Sequence, residues 1–175
     1  MGKVVASLAL SLDGFIADGE GGADWLNEYM KLSRGEDYGM MDFFKTIGTT
    51  IMGSGTYEKI ISYKGGKGGL GGDCIVFTSR KSPEAKGVSF VNGDPTPIVH
   101  ELRTNKKDTW LMGGGMLIAD FINRNLVDEL HFAIMPKLLG KGIPMWPGLH
   151  EIHKLKLAES KTFSNGVVQV KYSFM

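Results

Sequence analysis

Residues 3–12 (KVVASLALSL) are small or apolar at nearly every position, the pattern of a strand buried on both faces. Asp13-Gly14 turns the chain, and Phe15-Ile16-Ala17 briefly continues the strand. Residues 18–24 (DGEGGAD) read as a loop, with Asp24 placed to cap a short helix beginning at Trp25. A second helix is predicted over about 37–46, with Met40, Met41, Phe44 and Ile47 on one face. The β-branched run 49–52 predicts a short strand that ends in Gly53-Ser54-Gly55, and Thr56-Tyr57-Glu58 opens another helix. Residues 64–72 (KGGKGGLGG) are a glycine loop, but strands resume at once, so they mark no domain boundary. Strands are predicted over 73–78, 88–91, 109–112 and 126–135, with a loop over 79–86. Helices are predicted over 95–103, with Pro at the start, and over 116–123 after three glycines. Residues 136–153 read as irregular, and 154–163 and 166–174 as a hairpin around Ser164-Asn165-Gly166. Strands alternating with helices, then strands alone, imply an α/β fold. Its sheet would be mostly parallel, with helices on both faces and an antiparallel C-terminal hairpin. Ligands of such sheets bind beyond the carboxyl ends of the strands.

The 175 residues favour a single domain, 1–175, long enough to bury roughly 70% of its unfolded surface. Lys and Arg number 20 against 19 Asp and Glu, a net +1. That balance argues against a nucleic-acid binder and against a membrane-surface protein. No apolar run reaches the roughly 18 residues of a membrane span. The apolar N-terminus has one Lys ahead of it and an early Asp13, so it reads as a strand rather than a signal peptide. The single cysteine, Cys74, excludes an internal disulfide and fits a reducing compartment such as the cytoplasm. The 25 glycines are the outlier, about twice the usual ~7% share.

Those glycines cluster where strands pass into helices. Trp110-Leu111-Met112 runs into Gly113-Gly114-Gly115, and Met116-Leu117-Ile118 leaves as a helix. Bare backbone lets a phosphate approach, and a helix N-terminus offers unpaired N–H groups and a partial positive charge. The run matches neither the G-x-G-x-x-G fingerprint nor a Walker loop, and a tight strand–helix turn is the alternative. Gly53-Ser54-Gly55-Thr56 repeats the layout. A third strand ends at Thr78-Ser79-Arg80, where a guanidinium could grip a phosphate bidentately. Three such ends in one sheet point to a dinucleotide.

Taken in order, these stretches resemble the dihydrofolate reductase-like family. The branch is the one that contains the C-terminal reductase domain of bacterial riboflavin biosynthesis. Ser11 to Ala17 resembles the family's first strand and turn, and Met52-Gly53 with Thr56-Tyr57-Glu58 its Met-Gly-Arg-x-Thr-Tyr-Glu motif. Gly113-Gly114-Gly115 resembles its glycine turn, and Leu126 to Leu130 with Pro136, Leu138 to Gly140 and Gly142 to Pro144 the branch-specific stretch. The resemblance implies NADPH, hydride transfer to a small planar heterocyclic or carbonyl substrate, and a homodimer. The substrate would be a 5-amino-6-(5-phosphoribosylamino)uracil-type or pterin-type compound. By position, Ala9, Ile16 and Ala17 would meet the nicotinamide, and Gly53, Ser54, Gly55 and Thr56 the pyrophosphate and adenosine ribose. Thr78, Ser79 and Arg80 would sit near the adenine and 2′-phosphate. Met112, Gly113, Gly114, Gly115, Met116 and Leu117 would cover the pyrophosphate, and Trp25 and Phe44 would face the substrate.

Two departures qualify the resemblance. Ser54 stands where the family usually carries Arg, which leaves Arg80 as the main cation for a 2′-phosphate. The acid of folate reductases has no match: one turn before Phe43 and Phe44 stand Gly39 and Met40, and five residues after Trp25 stands Met30. Asp24, Glu28, Glu36, Asp37 and Asp42 remain candidates, each also readable as a cap or a solvated carboxylate. His150 and His153 are close but have no third ligand nearby, so no metal is expected. Cys74 reads as a small buried hydrophobe. The alternatives are a non-catalytic, nucleotide-binding dimeric protein of the same fold, and a folate reductase proper.

Overall fold

A computed structural model of the protein describes residues 1–32, 37–62, 72–80 and 85–175. Glu36, most of the glycine loop 64–72, and the side chain of Met30 lie outside the described part. The apolar N-terminal run forms β1 (Val4–Ser11), with Val4, Val5, Ala6 and Leu10 buried. It leads to β2 (Phe15–Ala17), a 3-10 turn (Asp24–Leu26) and α1 (Asn27–Leu32). Then follow α2 (Met40–Thr46), β3 (Ile47–Gly53), α3 (Ser54–Ser62), β4 (Asp73–Phe77) and β5 (Val88–Val91). The chain continues through α4 (Thr96–Arg103), β6 (Asp108–Gly113), α5 (Gly115–Asn123) and β7 (Glu129–Met135). It closes with β8 (Ile143–Pro144), β9 (Leu155–Thr162) and β10 (Val168–Phe174).

Eight strands form one sheet in the order β5-β4-β3-β6-β1-β7-β10-β9. The six from β5 to β7 are parallel, and β10 and β9 add antiparallel at the edge. The expected sheet and its C-terminal hairpin are therefore present. One face packs on α4 and α5 through Val99, Ile118, Phe121 and Ile122, with Ile51, Leu111 and Leu130 beneath them. Each such buried side chain contributes about 1.5–3 kcal/mol. The other face carries Tyr57 and Ile60 of α3 over Met52, Cys74 and Val76, and a second cluster of Tyr29, Tyr38, Met135, Phe163 and Val167 on which Trp25, Ala9 and Ala133 pack.

Several local expectations are corrected. Phe15 to Ala17 does not extend the first strand; it pairs with Ile143–Pro144 in a separate two-stranded sheet. The segment 136–153 is thus not wholly irregular. Asp24 does not cap the first helix: the N-cap is Ala23, without a side-chain bond, and a 3-10 turn precedes α1. The second helix starts at Met40 because Tyr38 and Gly39 both have positive φ. The Asp37 carboxylate accepts from the Gly39 and Met41 amides at that start. Met41 faces solvent rather than the packed side, and Ile47 already belongs to β3. The long strand predicted from 126 begins at Glu129, since Leu126 to Asp128 form the approach to it.

Candidate active site

The central sheet opens at its carboxyl end. β1 and β6 are paired only at Val4↔Thr109, Val5↔Trp110 and Ala6↔Leu111. β1 continues alongside β7 as far as Ser11↔Met135. β6 meanwhile stays with β3, where a register shift between Ile51 and Met52 leaves Met112 as an extra residue before Gly113. Residues 7–11 and 112–113 therefore diverge into a crevice. The indole of Trp110 fills its root and donates to the Ser7 carbonyl at 2.8 Å, replacing a lost ladder bond.

The left wall is made of backbone. Gly113 has φ +114, a conformation that favours glycine, and its peptide bond to Gly114 is cis. Gly115 is needed for close approach: a Cβ there would lie 2.7 Å from the Met145 carbonyl oxygen and 2.8 Å from that of Pro144. A Cβ on Gly114 would lie 3.7 Å from Thr56 Oγ1 and 4.0 Å from Ile16 Cδ1. The end of β6, the first turn of α3 and β2 thus meet at one glycine. A Cβ on Gly53 would lie 3.9 Å from the Gly113 carbonyl oxygen. Gly114 caps α5 with no side-chain bond, so first-turn amides of that helix lack an intrahelical partner. The N-termini of α3 and α5 both point a partial positive charge at this edge.

Next to this wall, Arg80 reaches back from the end of β4. Its guanidinium donates to Ser54 Oγ at 2.9 Å and to Glu58 Oε1 at 2.7 Å, and its amide donates to Thr78 Oγ1 at 3.1 Å. Arg80 is exposed but not simply solvated. Ser79 and Gly55 are exposed, and Met116 points to solvent with 77% of its surface accessible. Leu117 is half-buried against the core of α5. Ala17 is buried in the pairing of β2 with β8.

The right side is built of side chains. Phe43 and Phe44 both lean on Trp110, with ring centroids 5.7 and 5.5 Å away. Phe43 also lies 6.1 Å from the His131 ring. Trp25, like Ala9 and Ala133, packs against the buried cluster of Tyr29, Tyr38, Met135, Phe163 and Val167, and its buried Nε1 has no partner among the described residues. Such an N–H is a donor awaiting an acceptor. Burial holds the His131 imidazole below its ordinary value, against the opposing pull of Glu129 at 2.9 Å. The candidate acids among the described residues are engaged elsewhere. Glu28 pairs with Lys137 at 2.8 Å, Asp42 with Lys45 at 2.7 Å, Asp37 with the start of α2, and Asp24 with Asn27.

A further carboxylate anchors the loops above the crevice. Asp13 accepts from Ser11 Oγ at 2.6 Å and from the amides of Leu139 and Gly140. The Ser11 hydroxyl holds the Asp13 carboxyl below the ordinary carboxylate range; desolvation opposes it, and the Gly140 and Leu139 amides add to the lowering. The Met145 amide donates to the Gly14 carbonyl, so residues 13–17 and 139–145 are tied together.

The profile of the RibD C-terminal domain matches residues 70–169, more than half the chain. The chain belongs to the RibD C-terminal domain family. The uncharacterized protein YwjB of Bacillus subtilis (strain 168) is 35% identical over 168 residues, spanning 94% of each chain. A putative riboflavin biosynthesis protein from Shewanella sp. PV-4 shares the fold with a TM-score of 0.87 at 23% identity, over 99% of each chain. A dihydrofolate reductase from Enterococcus faecalis, solved in complex with NADP(H), aligns with a TM-score of 0.66 at 17% identity, over 99% of this chain and 96% of that one. The fold of this RibD-family chain is dihydrofolate reductase-like.

Within that fold, the structure brings together Ile16, Gly53, Thr56, Gly113 and Gly114, and separately Ser54 with Arg80. Trp25 and Phe44 do not share a cluster: Trp25 packs on the cluster of Tyr29 and Met135, and Phe44 on Trp110. Sequence reasoning missed the Ser11–Asp13 anchor, the Glu58 contact to Arg80, and the role of Trp110 at the crevice root. Among the described residues, no group of three His, Cys, Asp or Glu side chains could hold a metal. Cys74 is buried, which pushes its thiol up to about 11. No helix among the described residues is long and apolar enough to cross a membrane.

Proposed function

We propose that this chain is an NADPH-dependent reductase acting on a small planar heterocyclic or carbonyl compound of the phosphoribosylamino-pyrimidine type. The observation that carries this reading is the meeting of Ile16, Thr56 and Gly114 at the mouth of the crevice, with Gly53 against Gly113. The bare glycine backbone and two helix N-termini fit a pyrophosphate. Gly53, Gly55, Thr56 and Gly113 to Leu117 would hold it, with Thr78, Ser79 and Arg80 at the adenosine end. Ala9, Ile16 and Ala17 would seat the nicotinamide, which supplies the hydride when bound.

The rest of the work falls to the chain's own side chains. Phe43 and Phe44, half-buried and braced on the buried Trp110, would offer apolar surface that orients a planar acceptor and excludes water. Among the described residues the candidate acids Glu28, Asp37 and Asp42 are each engaged elsewhere, and in this reading the completing proton comes from water. This favours a phosphoribosylamino-pyrimidine over a pterin. A homodimer and a cytoplasmic location are part of the reading, the dimer supported by the exposed apolar side chains of Leu155 and Leu157 on β9 and of Trp146 and Ile152 ahead of it in the chain.

The test follows NADPH absorbance with the purified protein and each acceptor in turn. Oxidation is expected with the phosphoribosylamino-pyrimidine and not with dihydrofolate. Nucleotide binding without turnover on any acceptor would favour the non-catalytic alternative.

A further inference from the structure

We infer that Glu58 sets the choice between phosphorylated and unphosphorylated nicotinamide cofactors, by competing with a 2′-phosphate for the Arg80 guanidinium. This rests on the proposed nucleotide site. Ser54 and Glu58 are four residues apart on α3 and therefore share a face. That face turns toward the end of β4, where one terminal nitrogen of Arg80 contacts both side chains, at 2.9 and 2.7 Å.

The chemistry at this pair is two-sided. A 2′-phosphate fits the planar guanidinium fork, but it would arrive beside a carboxylate already bound there. Like charges at that distance repel, so Glu58 weakens the phosphorylated cofactor. An unphosphorylated ribose presents a hydroxyl at the same place, and a carboxylate accepts from it, as acidic residues do in NAD sites. The serine at position 54, in place of a second cation, leaves Arg80 to balance Glu58 alone among the side chains in this contact. Both partners are exposed, at 62% and 55% of their side-chain surface, so the ion pair is cheap to exchange for a ligand. The site therefore accepts both cofactors, Arg80 serving one and Glu58 the other.

The experiment measures dissociation constants for NADPH and NADH by calorimetry, at low and moderate salt, on the wild type, Glu58→Gln and Arg80→Ala. Glu58→Gln keeps the side chain's shape and its place on an exposed helix face. It is expected to tighten NADPH and weaken NADH, moving their affinity ratio about tenfold toward NADPH, a loss or gain of one charge-assisted contact on each side. Arg80→Ala is expected to move the ratio the other way, and the NADPH shift should shrink as salt rises. If both cofactors bind the wild type and Glu58→Gln leaves their ratio unchanged, the role of Glu58 is overturned and the nucleotide site stands. If neither cofactor binds the wild type, the nucleotide site itself fails and this inference with it.

Discussion

The two walls of the crevice are made of different materials. The wall at β3, β4 and β6 is glycine backbone and helix N-termini, with one guanidinium at its far end. The wall over β1 and β7 is side chains from α2 and the 3-10 turn with Ala9 and Ala133, and the indole N–H of its Trp25 has no partner among the described residues. Backbone recognition suits a constant ligand with phosphates, whose geometry does not vary between relatives. Side-chain recognition suits an acceptor that differs from one relative to the next. The strand–helix turns thus supply the first wall, and the 3-10 turn and α2 place the aromatic side chains of the second.

Substitutions separate the walls. The largest effect is expected from Gly115→Ala, because the new Cβ would press on two backbone carbonyls at 2.7 and 2.8 Å, and neither can step aside like a flexible side chain. A loss of about 1–3 kcal/mol in unfolding free energy should be seen by denaturant titration. Trp110→Phe comes next. It leaves the Ser7 carbonyl unpaired at the crevice root and should cost about 1–2 kcal/mol by the same measurement. An equal loss from Trp110→Phe and from a surface substitution would remove the root from the account.

Smaller effects fall on ligands. Thr56→Val should weaken NADPH by about three- to tenfold, with no change in the KM of the acceptor at saturating cofactor. Phe44→Ala should do the reverse, raising that KM by about tenfold while the NADPH affinity holds. Parallel changes in both constants for either variant would mean that the walls are not separate.

The smallest effect is set by pH. Asp13 has its carboxyl lowered by Ser11 and the amides of Leu139 and Gly140. A lowered value means that the ionised form is favoured in the folded state. Its stabilisation is then complete above the ordinary carboxylate range and is lost as pH falls through the lowered value. Asp13→Asn should therefore be less stable than the wild type at pH 7, with the gap closing in acid below about pH 3.8. A gap that stays constant down to acid pH would show that the anchor does not depend on charge.

The walls also differ in how legible they are in the sequence. Glycines at strand ends are rare enough, and physically restrictive enough, that Gly53, Gly113, Gly114 and Gly115 mark the first wall by residue type alone. The sheet's parallel character follows from the alternation of strands with helices. The second wall is harder to read because its helices are short and weakly patterned. Met41 has the spacing of a packed residue yet faces solvent, whereas Phe43, one position off the predicted stripe, meets Trp110. Tyr38, buried at a positive φ just before α2, shortens that helix in a way no periodicity reports. The anchor from Asp13 to Leu139 and Gly140 spans more than a hundred residues of sequence, and only the parallel neighbours β1 and β7 bring its ends together. Glu58 reads as part of a helix start, and its contact with Arg80 needs the register of β3 with β4.

The most direct measurement is calorimetric titration of the purified wild-type protein with NADPH, run beside Gly114→Val. A valine side chain at Gly114 would enter the space between Thr56 and Ile16, where the first wall and β2 meet. The account predicts saturable one-site binding to the wild type, and at least a tenfold loss in a Gly114→Val protein that retains the wild-type circular dichroism spectrum. Binding of equal strength to both proteins would contradict a cofactor site at the glycine turn.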